Sequence, residues 1–248
     1  MVTTEERLEE EEEHVEGLDG TGSDMTRILG MSDAVFAFSM TFLVVTLVLP
    51  QVNGANTYSS LPSLLGHEWP AFIGYVISFF IIAAWWATHR RMFSPIIRYD
   101  RVLVSLNNGF LLVIAVTPFL VDVLYVYGPG SSFGPGSVSN ELAVALFAVV
   151  QVAGGLLMLG IWRHSTHDRH LVEERLSDAW IRRTEQGEIF TVGVFAVSIP
   201  LAFLSPLSSM LLWIIMAVGI SRVRSLHRRA RHRPAASSAP SVGAPPIP

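Results

Sequence analysis

The sequence has no cysteine and no lysine, and only 15% of its 248 residues are charged. Without cysteine there is no disulfide, no thiolate metal site and no cysteine nucleophile, although the redox compartment stays open. Also missing are a glycine-rich phosphate loop, a close pair of carboxylates and a nucleophile–base–oxyanion set, so no enzyme is expected. Without lysine, every one of the 17 basic side chains is an arginine, and their placement carries the topological information. What the chain does have is hydrophobicity: half of its residues are apolar. That composition belongs to a polytopic membrane protein, not to a soluble globule.

Six apolar segments run at about 34–50, 69–88, 103–126, 141–162, 188–204 and 207–221. The first ends at Pro50 and holds no charge for roughly seventeen residues, enough to cross a hydrocarbon core of ~30 Å at ~1.5 Å per residue. The last two are short, separated by Ser205-Pro206, and read as a tight helical hairpin. All-α architecture with six transmembrane helices is therefore expected, over residues 25–226. Residues 1–24, with the Glu9–Glu13 run, read as a disordered acidic arm, and 227–248 as a basic, then Pro/Ala/Ser-rich tail. Residues 164–188 are long enough for a separate amphipathic helix between the fourth and fifth spans.

Arginine sets the orientation. The connections near 51–68, 128–140 and 205–206 hold none, whereas Arg90 to Arg101, Arg163 to Arg183 and Arg222 to Arg233 all fall on the other face. The positive-inside rule makes that face cytoplasmic, with both termini inside a multi-pass protein of the cell membrane. The Arg222–Arg233 cluster follows a span directly, so it reads as an anchor on anionic lipid heads and not as a nucleic-acid site. Trp69, Tyr75, Tyr125, Tyr127, Trp162, Trp180 and Trp213 include several residues at span ends, which reads as an aromatic belt.

Few polar residues remain to carry function. Asp33 lies near the inner end of the first span, where a carboxylate is expensive unless paired or hydrated. Arg27, His89 and Arg90 are candidate partners, and the competing reading is that Ser32 or Asp33 simply caps the helix that follows. Further along that span Phe38, Thr41, Val45 and Val48 or Leu49 recur every three to four residues, one helical stripe. By periodicity alone, the stripe is ordinary helix packing or a functional lining. His164, His167 and His170 form H-x-x-H-x-x-H, but arginines surround them and no carboxylate is evident, so a solvated surface is expected and no metal. Thr191-Val192-Gly193-Val194 has the start of a carbonyl filter without its second glycine, and reads as coincidence.

The segment Arg27-x-x-x-Met31-Ser32-Asp33, its apolar span with a threonine and its closing proline resemble the first-helix signature of the transmembrane protein 175 family, relatives of the lysosomal potassium channel. Trp69-Pro70, Trp85-Trp86, His89-Arg90-Arg91-Met92-Phe93, Arg98-Tyr99-Asp100-Arg101 and Asn107 fit the same family. The match covers about 25–127. It implies a homotetramer of six-span subunits in which the first helix of each lines a central pore. It implies potassium as the permeant ion, without a cofactor. Phe38 falls at the family's apolar gate, Thr41 at its selective hydroxyl ring, and Val45 and Leu49 continue the lining. Arg27, Ser32, Asp33 and His89 would form a polar network at the inner end. Two positions depart from the pattern: Met31 stands for phenylalanine in Phe-Ser-Asp, and Phe38 for Ile or Leu at the gate. The alternatives are a proton-coupled secondary transporter, with Asp33 and His89 as protonation sites, or a non-conducting scaffold. No inverted repeat with paired broken helices supports the transporter.

Overall fold

A computed structural model describes residues 22–47, 61–128 and 138–216. Helix α1 spans Gly22–Phe42 and tightens into a 3₁₀ turn at Leu43–Thr46. Helices α2 (Leu61–Phe93), α3 (Arg101–Tyr127), α4 (Val138–Thr166) and α5 (Asp178–Leu204) follow. A short α6 occupies Pro206–Met216. Helices α1, α3, α4 and α5 are each long and apolar enough to cross a membrane. At 33 residues, α2 would reach roughly 50 Å at ~1.5 Å per residue. The acidic run, the closing Val48–Pro50 of the first span with Leu49, and the arginine cluster of the tail lie outside the described residues.

Three features differ from the expectations. Helix α1 starts at Gly22, so residues 22–24 belong to it and Ser32 sits in its interior. Its hydroxyl donates to the Ile28 carbonyl one turn back, 2.9 Å away, which removes the capping reading. No separate helix joins the fourth and fifth spans. The chain leaves α4 at Thr166, makes a 3₁₀ turn at His167–Arg169, and enters α5 at Asp178. Ser177 caps that entry, its Oγ accepting the Trp180 N–H at 3.3 Å, and no break interrupts the helix from there to Leu204. The aromatic belt is also narrower than expected. Trp162 and Trp213 are buried, Trp162 against Trp180 at 5.2 Å and Trp213 against Phe147 at 5.0 Å. Ser205 ends α5 and Pro206 opens α6, the helix-start position that proline's missing N–H suits.

Helix α4 packs between α3 and α5, and adjacent glycines let both come close. A Cβ on Gly154 would lie 3.0 Å from Val113 Cγ1, and one on Gly155 only 2.6 Å from Val192 Cγ2. In lipid, where apolar burial offers little drive between helices, such small residues permit the contact that holds them. Trp85 completes this layer by donating to buried Gln151 Oε1 at 2.9 Å. Gly155→Ala is expected to destabilise the protein by about 1–3 kcal/mol through overpacking. Thermal unfolding of the detergent-solubilised protein measures it. The double variant with Val192→Ala should regain most of the loss, and no regain would place the strain elsewhere.

The α2–α3 and α4–α5 connections meet at the arginine-rich end. Ile96 and Val172 form an antiparallel bridge there. Ile97 N–H donates to Leu171 O at 2.9 Å, and Glu173 N–H to Pro95 O at 3.0 Å.

Candidate functional site

Two faces of α1 have opposite characters. Met25, Ser32, Phe36, Ser39 and Leu43 recur at helical spacing and are buried against the neighbouring helices. Roughly opposite them, Met31, Phe38, Thr41 and Val45 are exposed, Phe38 at 65% and Val45 at 56%. Phe38 stacks on Phe42 with centroids 5.5 Å apart and planes at 20°. The Thr41 hydroxyl turns back to its own helix, facing the Phe38 and Ala37 carbonyls at 2.8 and 3.0 Å. Donation of its one proton there leaves the oxygen with lone pairs for the exposed side.

The buried face is held by a directional chain of hydrogen bonds. His89 Nε2–H donates to Asn107 Oδ1 at 2.9 Å, and Asn107 Nδ2–H donates to Ser32 Oγ at 3.1 Å. Ser32 passes the chain to the Ile28 carbonyl, so α1, α2 and α3 are joined at one point. His89 is 0% exposed. Its ring stacks on Phe93 at 4.2 Å and on Phe110 at 5.7 Å, with Phe36 against it at 5.6 Å. Polar groups in such a place rigidify when every partner is supplied and cost heavily when one is removed.

Of the four inner-end candidates, the structure brings Ser32 and His89 together through Asn107. Asp33 lies beside them and accepts the Trp86 indole N–H at 2.7 Å. The Arg90 guanidinium sits 5.1 Å over that indole ring. Arg27 faces Asp24 at 3.8 Å instead, on an exposed surface. Asn107 and Trp86 are the partners that sequence reasoning left without a role. An amide inside an otherwise apolar stretch was the available signal for Asn107. Thr191 to Val194 lie inside α5, with the Thr191 hydroxyl on the Gly187 carbonyl at 3.0 Å, so they form no filter.

A second polar cluster lies at the arginine-rich end. Asp100 caps α3, with Oδ1 accepting the Leu103 N–H at 2.7 Å. Its Oδ2 lies 2.7 Å from His164 Nε2 and 3.7 Å from His170 Nε2. Burial pushes the Asp100 carboxyl up, but the Leu103 bond, the His164 bond and the charges of His164 and His170 outweigh it, so its pKa lies below the ordinary 3.8. Its contribution to stability is therefore complete above pH 3.8 and lost as the pH falls through the lower folded value.

The family model described as "Endosomal/lysosomal potassium channel TMEM175" matches residues 27–118, which span α1, α2 and most of α3. A potassium channel of Streptomyces collinus is 32% identical over 182 residues, covering 71% of this chain and 84% of the relative. A potassium channel of Chamaesiphon minutus is 25% identical over 198 residues, covering 79% and 93%. The crystal structure of a lysosomal potassium-selective channel TMEM175 homolog from Chamaesiphon minutus superposes with a TM-score of 0.67 at 26% identity. That superposition covers 82% of this chain and 98% of the other. These relatives are ion channels and not enzymes, and with that degree of identity and coverage the chain belongs to the TMEM175 family.

Proposed function

We propose that the chain is a potassium-permeable cation channel, a homotetramer in which the exposed stripe of α1 from each subunit faces a shared central pore. The observation that carries this reading is that Phe38 and Thr41 share the exposed side of a helix whose other side is locked by Ser32, Asn107 and His89. A helix fixed in rotation presents the same side chains to every neighbour. Four copies would set Phe38 at one level as the gate, Thr41 at the next as the selective ring, and Val45 and Leu49 as the continuing wall. The arginine-rich end, with both termini, faces the cytoplasm. Membrane lipid covers the outer apolar faces.

Each level has a separate physical task. Closely spaced apolar rings dewet a passage, and an ion crosses only when they part. The threonine oxygens, with their protons turned to the backbone, offer lone pairs that replace part of a cation's hydration shell. A weakly hydrated cation gives up water more readily than a strongly hydrated one, which favours potassium over sodium.

The test is ion flux from proteoliposomes under a potassium gradient and then a sodium gradient, with Thr41→Ala alongside. Potassium flux should exceed sodium flux, and the substitution should bring the two together. Absence of flux under both gradients, from protein shown to be tetrameric, would sink the channel reading and leave a scaffold. Flux that required an opposing proton gradient would favour the transporter.

A further inference from the structure

We propose that Asp100, His164 and His170 form a binding site for a divalent transition metal of the zinc class. The proposal concerns the end of the molecule away from the stripe and stands independently of the channel reading. Asp100 Oδ2 comes from the start of α3, His164 Nε2 and His170 Nε2 from the end of α4 and the turn after it, and one donor atom of each lies within 4.8 Å of the others. Two imidazoles and a carboxylate are a donor set that intermediate metals such as zinc favour over magnesium or calcium. Three protein ligands also leave a fourth position to water.

The spacing is close to what a metal needs. Bonds of ~2.0–2.2 Å at tetrahedral angles place neighbouring ligand atoms roughly 3.3 Å apart. The 2.7 Å contact from Asp100 to His164 must open slightly and the 3.7 Å separation from Asp100 to His170 must close slightly. All three side chains are partly exposed, so metal can reach them from the aqueous side.

The groups behind the ligands also suit the task. His170 Nδ1 is 2.7 Å from the His167 carbonyl, and donation there leaves Nε2 as a lone pair. The Leu103 N–H holds Asp100 Oδ1, which turns Oδ2 to the histidines. His170 returns to His164 because Asp168 and Arg169 adopt left-handed backbone, with φ of 49° and 56°. Arg169 then fixes that turn by donating to the Glu174 and Leu176 carbonyls, each at 2.8 Å, and to Asp178. The H-x-x-H-x-x-H spacing thus contributes its first and third histidines but not its second. The His167 ring faces the exposed Asp168 at 3.0 Å.

The experiment is zinc titration of the purified full chain, without a polyhistidine tag, in competition with a chromogenic chelator. Co²⁺ absorption serves as the spectroscopic reading of the same site. The Asp100/His164/His170 triple variant gives the background from other histidines. About one competing site per chain is expected above that background. Asp100→Asn, His164→Gln and His170→Gln should each weaken it by more than about a hundredfold, beyond the 10–100-fold typical of removing a supporting group. His167→Gln should leave affinity unchanged within about twofold. Asparagine can still cap α3, and His170 lies at the surface, so at least two variants report on folded protein. Stoichiometry equal to the triple variant, unaltered affinity in Asp100→Asn, or equal losses in His167→Gln and His170→Gln would each overturn the proposal.

Discussion

Phe38→Ala is expected to raise potassium flux in proteoliposomes by at least about tenfold. Each 1.4 kcal/mol taken from a barrier is a factor of about ten in rate, and the substitution removes a ring from every subunit at the level assigned to the gate. In the single chain Phe38 is 65% exposed and buttressed by Phe42 one turn on, so nothing within the subunit encloses it. Opening the constriction should admit water without altering the threonine ring above it. Flux should therefore rise while the preference for potassium over sodium is largely kept. Phe38→Leu, which restores a smaller apolar side chain, should fall between the two. Flux equal to or below that of the parent, from Phe38→Ala protein that keeps the parent's oligomeric state, would remove Phe38 from the proposed constriction.

The periodicity of the first span was legible because a helix that is locked on one side and exposed on the other must repeat both patterns at the same period. Phe38, Thr41 and Val45 fall on the exposed side, while Ser32, Phe36 and Ser39 fall behind. The Ser205-Pro206 break was equally readable, since proline stops one helix and can start the next. Other features depended on distance in space. Ser32 resembled a cap because serine before an apolar run usually is one, and only the ten residues of helix ahead of it change its role. Trp162 closes the fourth span counted in the sequence and Trp213 lies inside the last, and tertiary packing buries both. The carboxylate that joins His164 and His170 lies 64 residues from the first of them, beyond any local spacing rule.

Asn107→Leu is expected to cost about 2–4 kcal/mol of stability, through mechanisms that a compensating variant can expose. The change keeps the branched shape of the side chain but leaves the His89 Nε2–H without its acceptor, inside a site of 0% exposure, and deprives Ser32 Oγ of its incoming donor. A buried group left unsatisfied costs roughly 1–3 kcal/mol, whereas replacing both partners by apolar groups of like shape is nearly neutral. Phenylalanine at position 89 would fit between the rings of Phe93 and Phe110, so the double variant Asn107→Leu/His89→Phe should recover much of the loss. Thermal loss of the oligomer, followed by size-exclusion chromatography, measures both. If this network also sets the rotation of α1, Asn107→Leu must disturb the potassium-to-sodium preference, because Thr41 would no longer be held at one angle to its copies. Gly155→Ala weakens the protein at the α4–α5 contact, away from α1, and should leave that preference intact. Equal changes of preference in the two variants would make the effect one of general stability. A change confined to Asn107→Leu would tie the buried chain of hydrogen bonds to the face proposed to line the pore.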